Sequence, residues 1–289
     1  MRRLDYAVPA ADTGRTVGAL LSGRMGLSRH RVSSLKFSGG ILLDGKPAHT
    51  GARVQAGQEL SVLLEDAPAR LAPCPLSLEV FYQDADLLVV CKPAPLPSIH
   101  SARQDACTLE NAVYSHLGCP ENFSYRPVSR LDKGTSGLMP VALNAHAHHC
   151  LQQMLHTPDY VREYLAVTEG MPPEPEGVCN APIGLAGGVC RCVSPAGKPA
   201  VTHYRVIHRS ENGRALLRLR LETGRTHQIR VHLAHLGCPV AGDYLYGRPL
   251  TQLAGRFALH AAFLALSHPI TGERLAWESP LPEELAALL

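Results

Sequence analysis

Residues 128–138, VSRLDKGTSGL, place one carboxylate, Asp132, directly after Arg130 and just before a turn rich in Gly, Thr and Ser. A strand or loop that ends in such a turn can hold the carboxylate in one orientation at the edge of a cleft. The adjacent Arg130 can contact a polyanionic substrate. Asp and Gly are ordinary turn residues, however, so taken alone the segment favours a plain surface turn with Asp132 as its cap.

Three later segments carry more polar residues than a hydrophobic core requires. They are residues 161–167 (VREYLAV), 221–232 (LETGRTHQIRVH) and 242–247 (GDYLYG). The first contributes Tyr164, an aromatic side chain that can stack on a base. Because these segments accompany Asp132, residues 128–138 are better interpreted as part of a catalytic or binding site than as a plain surface turn.

The segment at 221–232 is predicted to begin a helix. Thr226 can cap a helix that runs to Gly237, and His227 and Arg230 then share one face because they lie three residues apart. The alternative is structural: Arg225 and Arg230 pair with nearby carboxylates and only stabilise the helix.

An Asp held by an Arg, beside a Tyr, suits chemistry on a nucleoside. Asp132 could attack the anomeric carbon of a ribose or act as a base on the sugar, while Tyr164 could support an unstacked uracil and shuttle a proton. A neighbouring arginine favours the charged form of a carboxylate. No second partnered carboxylate is evident at a motif position, which disfavours two-carboxylate glycosidase chemistry. The sequence also lacks a GxxxxGK[ST] loop, a GxSxG elbow and an HxE…PCxxC signature.

The first 64 residues form a small basic unit. They hold nine Lys or Arg against four acidic residues, so their net charge is about +5 in a chain of net charge +3. Apolar spacing predicts two helices, the second capped by Ser28 and ended by Gly39-Gly40, followed by strands near 41–43 and 60–63. The basic residues of the second helix predict a surface that grips RNA; the alternative is a solvated charged helix face.

The remainder is predicted to be a larger α+β unit. Residues 65–77 carry three prolines and are predicted to be a linker to a domain at 78–289. Strands are predicted at 87–91 (the first of this domain), 137–143, 163–168, 202–208 and 215–222, with a helix at 145–156 and a loop or hairpin insertion at 169–200. The predicted fold is a mixed, largely antiparallel sheet with a central cleft, plus a small N-terminal α/β module.

Other patterns exclude classes of protein. The chain has no apolar run long enough for a membrane span and no secretory signal, so we expect a cytoplasmic protein. Its nine scattered cysteines predict reduced thiols. The cluster at residues 146–150, HAHHC, is not predicted to bind a metal because no second cluster supplies the remaining ligands.

The chain resembles the RluA-type family of RNA pseudouridine synthases over essentially its whole length. Three motifs carry the resemblance in order: residues 130–137 (RLDKGTSG) are similar to RLDxxTSG, residues 162–166 (REYLA) to (K/R)xYxA, and residues 223–232 (TGRTHQIRVH) to TGRxHQxRxH. Segments at 198–202, 242–247, 259–261 and 268–269 also match in order. Ser129 and Pro95 depart from the family pattern and bear on substrate detail.

The resemblance implies a role for each motif. Asp132 would be the catalytic aspartate, Tyr164 the active-site tyrosine and Arg230 the arginine that pairs with the aspartate. Arg130 would occupy the space left by a flipped base. The N-terminal unit resembles, more weakly, the RNA-binding module named after small-ribosomal-subunit protein four, which we call the S-four-type module. The candidate RNA contacts are Arg130, Arg225, His227, Arg29, Arg31, Lys36 and Lys46.

The expected activity is isomerisation of uridine to pseudouridine in structured RNA, with large-subunit ribosomal RNA as the first expectation and transfer RNA as the alternative. A monomer is expected, without metal, nucleotide or organic cofactor. Two rivals from other classes are a non-catalytic RNA-binding assembly factor and an RNA nuclease or N-glycosidase.

Overall fold

Three β-sheets organise the part of the chain that the computed structural model describes, namely residues 2–64, 71–100 and 107–289. The first sheet, in residues 2–64, has the antiparallel order β1-β4-β2-β3. Its elements are β1 (Arg2–Ala7), α1 (Val17–Gly23), α2 (Arg29–Ser38), β2 (Ile41–Leu43), β3 (Lys46–Pro47) and β4 (Glu59–Leu64).

Both predicted helices of this unit are confirmed, and so are the predicted ends of the second helix. The side chains of Thr16 and Ser28 accept hydrogen bonds at the starts of α1 and α2, and Gly39 ends α2 in a left-handed conformation with φ +72°. The apolar faces of both helices pack on the sheet in one core that includes Leu20 and Leu35. The sequence did not reveal β1 and β3.

A buried carboxylate, that of Asp12, links β1 to the residues on either side of α1. Asp12 is fully buried and accepts hydrogen bonds from Tyr6 Oη at 2.5 Å, Arg15 Nη1 at 2.9 Å and Arg24 Nε at 3.2 Å. The hydroxyl of Tyr6 and the guanidinium groups of Arg15 and Arg24 hold the pKa of Asp12 well below its usual range. The ionised Asp12 carboxylate therefore stabilises the folded unit fully above about pH 4, the pKa of aspartate in the unfolded chain. This stabilisation is lost progressively as the pH falls further.

We expect Asp12→Asn to lower the melting temperature of the N-terminal unit at pH 7, because the two arginines lose their anionic partner. The difference from wild type should shrink as the pH falls below about 4, because the Asp12 carboxyl of the unfolded wild-type chain then becomes protonated while the folded chain still holds it ionised. Circular dichroism melts at pH 7 and pH 3 measure this. The exposed Asp5→Asn is the control; an equal loss in both variants would contradict a special role for Asp12.

The large unit is built on a nine-stranded sheet of order β5-β6-β7-β14-β8-β13-β12-β9, with β15 paired to β14. Its strands are β5 (Glu79–Gln83), β6 (Leu87–Lys92), β7 (Ser136–Ala142), β8 (Tyr160–Glu169), β9 (Glu176–Asn180), β12 (Val201–Arg209), β13 (Arg214–Leu221), β14 (Leu259–Ser267) and β15 (Arg274–Glu278). A separate hairpin consists of β10 (Ile183–Gly187) and β11 (Cys190–Val193). The helices are α3 (Leu109–His116), α4 (Ala145–Met154), α5 (Gln228–His235) and α6 (Glu283–Ala286).

The prediction of a mixed, largely antiparallel α+β fold is confirmed: among the described strands of this sheet, β7 and β14 form the one parallel pair. In β13, Leu217 and Leu219 are buried while Arg218 and Arg220 are exposed, as the alternation predicts. The prediction that residues 87–91 form the first strand is wrong, because β5 precedes them. β5 lies at the sheet edge and is mostly exposed, so it lacks the apolar run that revealed β6.

Residues 71–77 have no helix or strand but pack on the large unit, while residues 65–70 of the predicted linker lie outside the described chain. The Cys74 N–H donates to Ser115 Oγ at 2.7 Å, and Asn111 Nδ2 donates to Ala72 O at 2.8 Å. Cys74 forms a disulfide with Cys107 at a Cα–Cα distance of 5.8 Å. The prediction of reduced thiols throughout is wrong for this pair, since residues 33 apart in sequence meet in space. None of the helices in the described ranges has the length and apolarity to cross a bilayer.

Candidate active site

The backbone around Asp132 is fixed on both sides. Asp132 lies in the loop before β7, where Ser98 Oγ donates to Leu131 O at 2.6 Å and the Leu96 N–H donates to Lys133 O at 2.9 Å. The Leu131 side chain is buried in the main core. The carboxylate itself keeps 26% of its surface exposed. The loop therefore presents Asp132 to solvent from a rigid backbone.

Two glycines of the same motif allow the chain to pass close to β14. Gly137 has a φ of +114°, and a Cβ atom there would lie 2.3 Å from Ala261 O. A Cβ on Gly134 would lie 2.6 Å from the Phe257 ring. Since real Cβ contacts are not this short, both positions need glycine for this path.

Arg230 links Asp132 to a second carboxylate. Arg230 Nη1 donates to Asp132 Oδ2 at 3.1 Å, while Nε and Nη2 donate to the two oxygens of Asp243 at 2.6 and 2.8 Å. The guanidinium is 2% exposed and lies 4.1 Å from the centroid of the Phe257 ring. A planar guanidinium with a bidentate partner has one orientation, so Asp243 fixes the nitrogen that Arg230 offers to Asp132.

The expectation that no motif carboxylate besides Asp132 has a partner is wrong. Asp243 is fully buried, and its Oδ1 also accepts the backbone N–H groups of Leu245 and Tyr246 at 2.9 and 3.2 Å. Because these bonds and Arg230 use both oxygens, Asp243 does not face the cavity. Chemistry with two carboxylates on opposite sides of a sugar remains disfavoured.

Helix α5 begins at Gln228, so the prediction of a Thr226 cap is wrong. The N-cap is His227, whose backbone is left-handed with φ +58°. Gln228 Oε1 instead accepts from Thr223 Oγ1 and from the Arg225 N–H, each at 2.9 Å. These bonds stabilise a tight turn that a rule based on local capping does not anticipate.

The left-handed conformation turns the His227 ring towards Asp132. Its Nδ1 lies 2.8 Å from Tyr246 Oη, and that oxygen accepts the Arg191 backbone N–H at 2.9 Å. The Tyr246 hydroxyl can therefore donate to Nδ1, which leaves the hydrogen of His227 on Nε2. Nε2 is 4.0 Å from Asp132 Oδ1, beyond a direct hydrogen bond. Burial lowers the pKa of His227, which favours the neutral ring.

Strand β8 supplies one wall of the site. Tyr160, Arg162 and Tyr164 alternate along it and all three are buried, so they share one face. Burial raises the pKa of Tyr164, an effect that the Arg162 guanidinium partly offsets. Tyr164 is therefore a neutral phenol that can donate a hydrogen bond at neutral pH.

One cavity of about 460 Å³ is lined by Asp132, Arg162, Tyr164, His227 and Arg230 among others. Asp132 is the one acidic residue in its lining, and Arg230 already pairs with it. The other cationic residues of the lining are Arg130, Lys133, Arg162 and Arg225. A concave site with surplus positive charge suits a polyanionic ligand.

Comparison with known proteins agrees with this chemistry. Residues 86–235 match the family model for RNA pseudouridylate synthase. The chain belongs to this family. It is 39% identical to Ribosomal large subunit pseudouridine synthase D of Pseudomonas aeruginosa over 91% of this chain and 87% of that protein. It is 36% identical to Uncharacterized RNA pseudouridine synthase YlyB of Bacillus subtilis over 91% and 88% of the two chains.

The fold is also similar to that of a solved RNA pseudouridylate synthase domain. The solved structure of human RNA Pseudouridylate Synthase Domain Containing 4 superposes with a TM-score of 0.60 at 27% identity, covering 72% of this chain and 90% of that one. The protein is thus an RNA pseudouridine synthase, an isomerase that converts uridine to pseudouridine in RNA.

In this pseudouridine synthase, six of the ten residues predicted from the sequence line the one cavity: Asp132, Tyr164, Arg230, Arg130, Arg225 and His227. Arg130 is exposed, and Arg225 Nε donates to Pro199 O at 2.9 Å. Arg31, Lys36 and Lys46 belong to the N-terminal unit and are absent from that lining. The side chain of Arg29 lies outside the described structure.

Two buried cations beside Asp132 or Tyr164 were missed. Lys92 is fully buried and donates to Pro93 O, Leu96 O and Lys133 O at 3.1, 2.7 and 3.4 Å, so it fixes the loop beside Asp132. Burial lowers the pKa of Lys92 to about 7. Arg162 was noted only as a motif position. Neither residue has a local pattern that signals burial of a charge.

Among the described residues, the side chains of Asp84, Asp86 and His268 bring possible metal-ligand atoms within 4.8 Å of one another. These atoms have protein partners. His268 Nε2 donates to Asp84 Oδ2 at 2.8 Å, because its Nδ1 accepts the backbone N–H of Thr271 at 3.1 Å. Asn144 Nδ2 donates to Asp86 at 2.6 Å. The set forms a hydrogen-bonded brace between β5, β6 and the end of β14 rather than an open cation site.

Proposed function

We propose that this pseudouridine synthase modifies uridine in large-subunit ribosomal RNA and that Asp132 is its catalytic carboxylate. The observation that carries the assignment is the position of Asp132: it is the acidic side chain of a cationic cavity and is held at 3.1 Å by a buried arginine. Ribosomal RNA as the target is supported by similarity to several proteins named ribosomal large subunit pseudouridine synthase D.

The reaction exchanges one bond to the ribose for another. The target uridine leaves its helix at a cost of about a few kcal/mol and enters the cavity, while the exposed Arg130 fills the vacated position. Asp132 breaks the bond between N1 and C1′, by attack on C1′ or by removing a sugar proton. The uracil turns and C5 bonds to C1′, with the Asp132–C1′ bond breaking in the first route and the sugar proton returning in the second. The hydrogen on C5 then leaves as a proton and N1 gains one. Overall, no atom is lost and no redox change occurs.

Arg230 and Tyr164 assist this step in different ways. Arg230 holds the Asp132 carboxylate in place through the hydrogen bond from Nη1, and Asp243 prevents Arg230 from turning away. Tyr164 supports the uracil as a neutral phenol that donates a hydrogen bond, because burial raises its pKa. The sequence led us to expect that Tyr164 shuttles a proton. To act as a base, Tyr164 would first have to ionise, which its burial disfavours.

We further propose that residues 1–64 are an S-four-type RNA-binding module, that residues 65–77 link it to a catalytic domain at 78–289, and that a cavity in this domain is the central cleft. The two capped helices on a small sheet and the basic charge support an RNA-gripping role. A cytoplasmic monomer stays the prediction.

Mapping pseudouridine in RNA from cells with and without this protein tests the target. Loss of signal at uridines of large-subunit ribosomal RNA is expected, together with recovery when the gene is restored. Loss only in transfer RNA would replace the proposed target by the alternative. Unchanged modification everywhere would contradict the proposal, and an accompanying defect in ribosome assembly would favour a non-catalytic assembly factor.

The proposed RNA-binding role of residues 1–64 predicts how the affinity for RNA depends on salt when lysines of this unit are replaced. Lys36→Gln with Lys46→Gln should weaken RNA binding about tenfold at physiological salt and lower the slope of log K against log salt by roughly one to two. The rate at saturating enzyme should hardly change, since neither lysine lines the cavity. The exposed pair Arg205→Gln with Arg218→Gln removes equal charge from β12 and β13 and is the matched control. A loss confined to the rate would contradict the role.

A further inference from the structure

Arg162 is a buried cation for which the protein supplies no acceptor. Its side chain is 8% exposed and lines the cavity from β8. Among the residues that the structure describes, no carboxylate, carbonyl or hydroxyl accepts a hydrogen bond from its guanidinium. The contact that it makes is with a ring: its Cζ lies 5.5 Å from the centroid of Tyr160.

The other deeply buried cations of the large unit differ in this respect. Arg230 has two carboxylates, Arg256 pairs with Glu284 and donates to Ser136 Oγ at 2.8 Å, and Lys92 donates to three carbonyl groups. Removing a charge from water is unfavourable unless a counter-charge and hydrogen bonds replace the lost solvation. Arg162 thus lacks what every one of these comparable residues has.

The guanidinium is open towards the cavity. Gly224 also lines the cavity and lies next to the guanidinium, where a Cβ atom would be 3.5 Å from Arg162 Nη1. Because glycine has no side chain, this position does not cover the guanidinium. Arg162 is also two residues from Tyr164 on the same face of β8. A group bound by Arg162 would therefore lie beside the position proposed for the uracil.

We propose that Arg162 binds a backbone phosphate that flanks the target uridine; this inference rests on the proposed function. A phosphate fits better than a uracil carbonyl, because a neutral oxygen returns little of the solvation that a buried guanidinium has lost. The lining also carries surplus positive charge, to which Arg130, Lys133 and Arg225 contribute. This charge favours an anionic phosphate over a neutral carbonyl group. The phosphate would fix the ribose at one distance from Asp132.

The test uses RNA made in two pieces that meet immediately 5′ or 3′ of the target uridine found by mapping. Each two-piece RNA is prepared once with a terminal phosphate at the break and once without it. The two RNAs then differ only in that phosphate, since both contain the same break. Binding and single-turnover pseudouridine formation are measured for wild type, Arg162→Met, Arg162→Lys and the control Arg205→Met, an exposed arginine on β12.

In wild type and in Arg205→Met, the phosphate at one of the two breaks should improve binding or rate by roughly 10- to 100-fold. In Arg162→Met the same phosphate should matter less than about threefold, and Arg162→Lys should recover part of the effect. An equal phosphate effect in wild type and Arg162→Met at both breaks would overturn the inference. So would a loss in Arg162→Met that is independent of the phosphates, which would indicate contact with the uracil.

A stability measurement separates binding from a structural role. Arg162→Met should melt at the wild-type temperature or above, because it removes a buried charge that has no acceptor. A clearly lower melting temperature would make Arg162 a structural residue. Failure of the proposed function has a different signature: wild type would form no pseudouridine in any intact RNA, whereas failure of this inference leaves wild-type activity intact.

Discussion

Asp132→Asn will abolish pseudouridine formation, by at least about 10⁴-fold in the single-turnover rate, while the protein stays folded and still binds RNA. Asparagine keeps the shape of the side chain but cannot act as nucleophile or base. Arg230 retains its buried bidentate partner Asp243, so the surrounding structure should not change. The melting temperature should stay within a few degrees of wild type.

RNA binding gives this experiment an independent readout. Asp132 is the acidic residue in the cavity lining, so its neutralisation should leave the affinity for RNA unchanged or slightly higher. Asp159→Asn, an exposed change just before β8, is the control and should retain full activity. Substantial isomerisation by Asp132→Asn would refute the catalytic assignment, and free uracil or broken RNA from wild type would refute isomerisation itself.

Arg230→Met will remove both activity and stability. Asp132 loses its anchor, so we expect the rate to fall by at least about 10²-fold. Asp243 is left as a fully buried carboxylate without its cation, which should destabilise the fold by about 3–5 kcal/mol. Urea denaturation and single-turnover kinetics measure the two effects separately.

A double variant separates these effects. Asp243→Asn added to Arg230→Met removes the stranded charge while still accepting the N–H groups of Leu245 and Tyr246. We expect it to recover most of the lost stability but none of the activity. If the double variant is no more stable than Arg230→Met alone, the ion pair between Arg230 and Asp243 does not control the stability of this region.

The sequence predicted residues that share one cavity better than it predicted the contacts between them. Asp132 and Arg230 are 98 residues apart, and each lies in a motif that polar residues make conspicuous. The N-terminal helices were predicted closely because Ser28 and Gly39 act locally at their ends. Strand β13 was predicted because one of its faces is buried and the other is solvated.

The errors occur where distant contacts override local preferences. Thr226 is a good capping residue, but the hydrogen bonds that Gln228 Oε1 accepts from the Arg225 N–H and His227 Nδ1 accepts from Tyr246 favour a start at Gln228, with His227 as the N-cap. Asp243 looks like an ordinary turn residue, and only the fold brings it to Arg230. The unsatisfied charge of Arg162 is likewise invisible until β8 is placed against its neighbours.

The position of β14 in the sheet bears on when the protein becomes active during its synthesis. Asp132, Tyr164 and Arg230 all precede residue 235, yet β14, at residues 259–267, lies between β7 and β8 and separates the strand after Asp132 from the strand that carries Tyr164. A nascent chain that already contains every proposed catalytic group therefore lacks the strand that spaces them. We infer that the enzyme cannot modify RNA until β14 has left the ribosome and joined the sheet between β7 and β8.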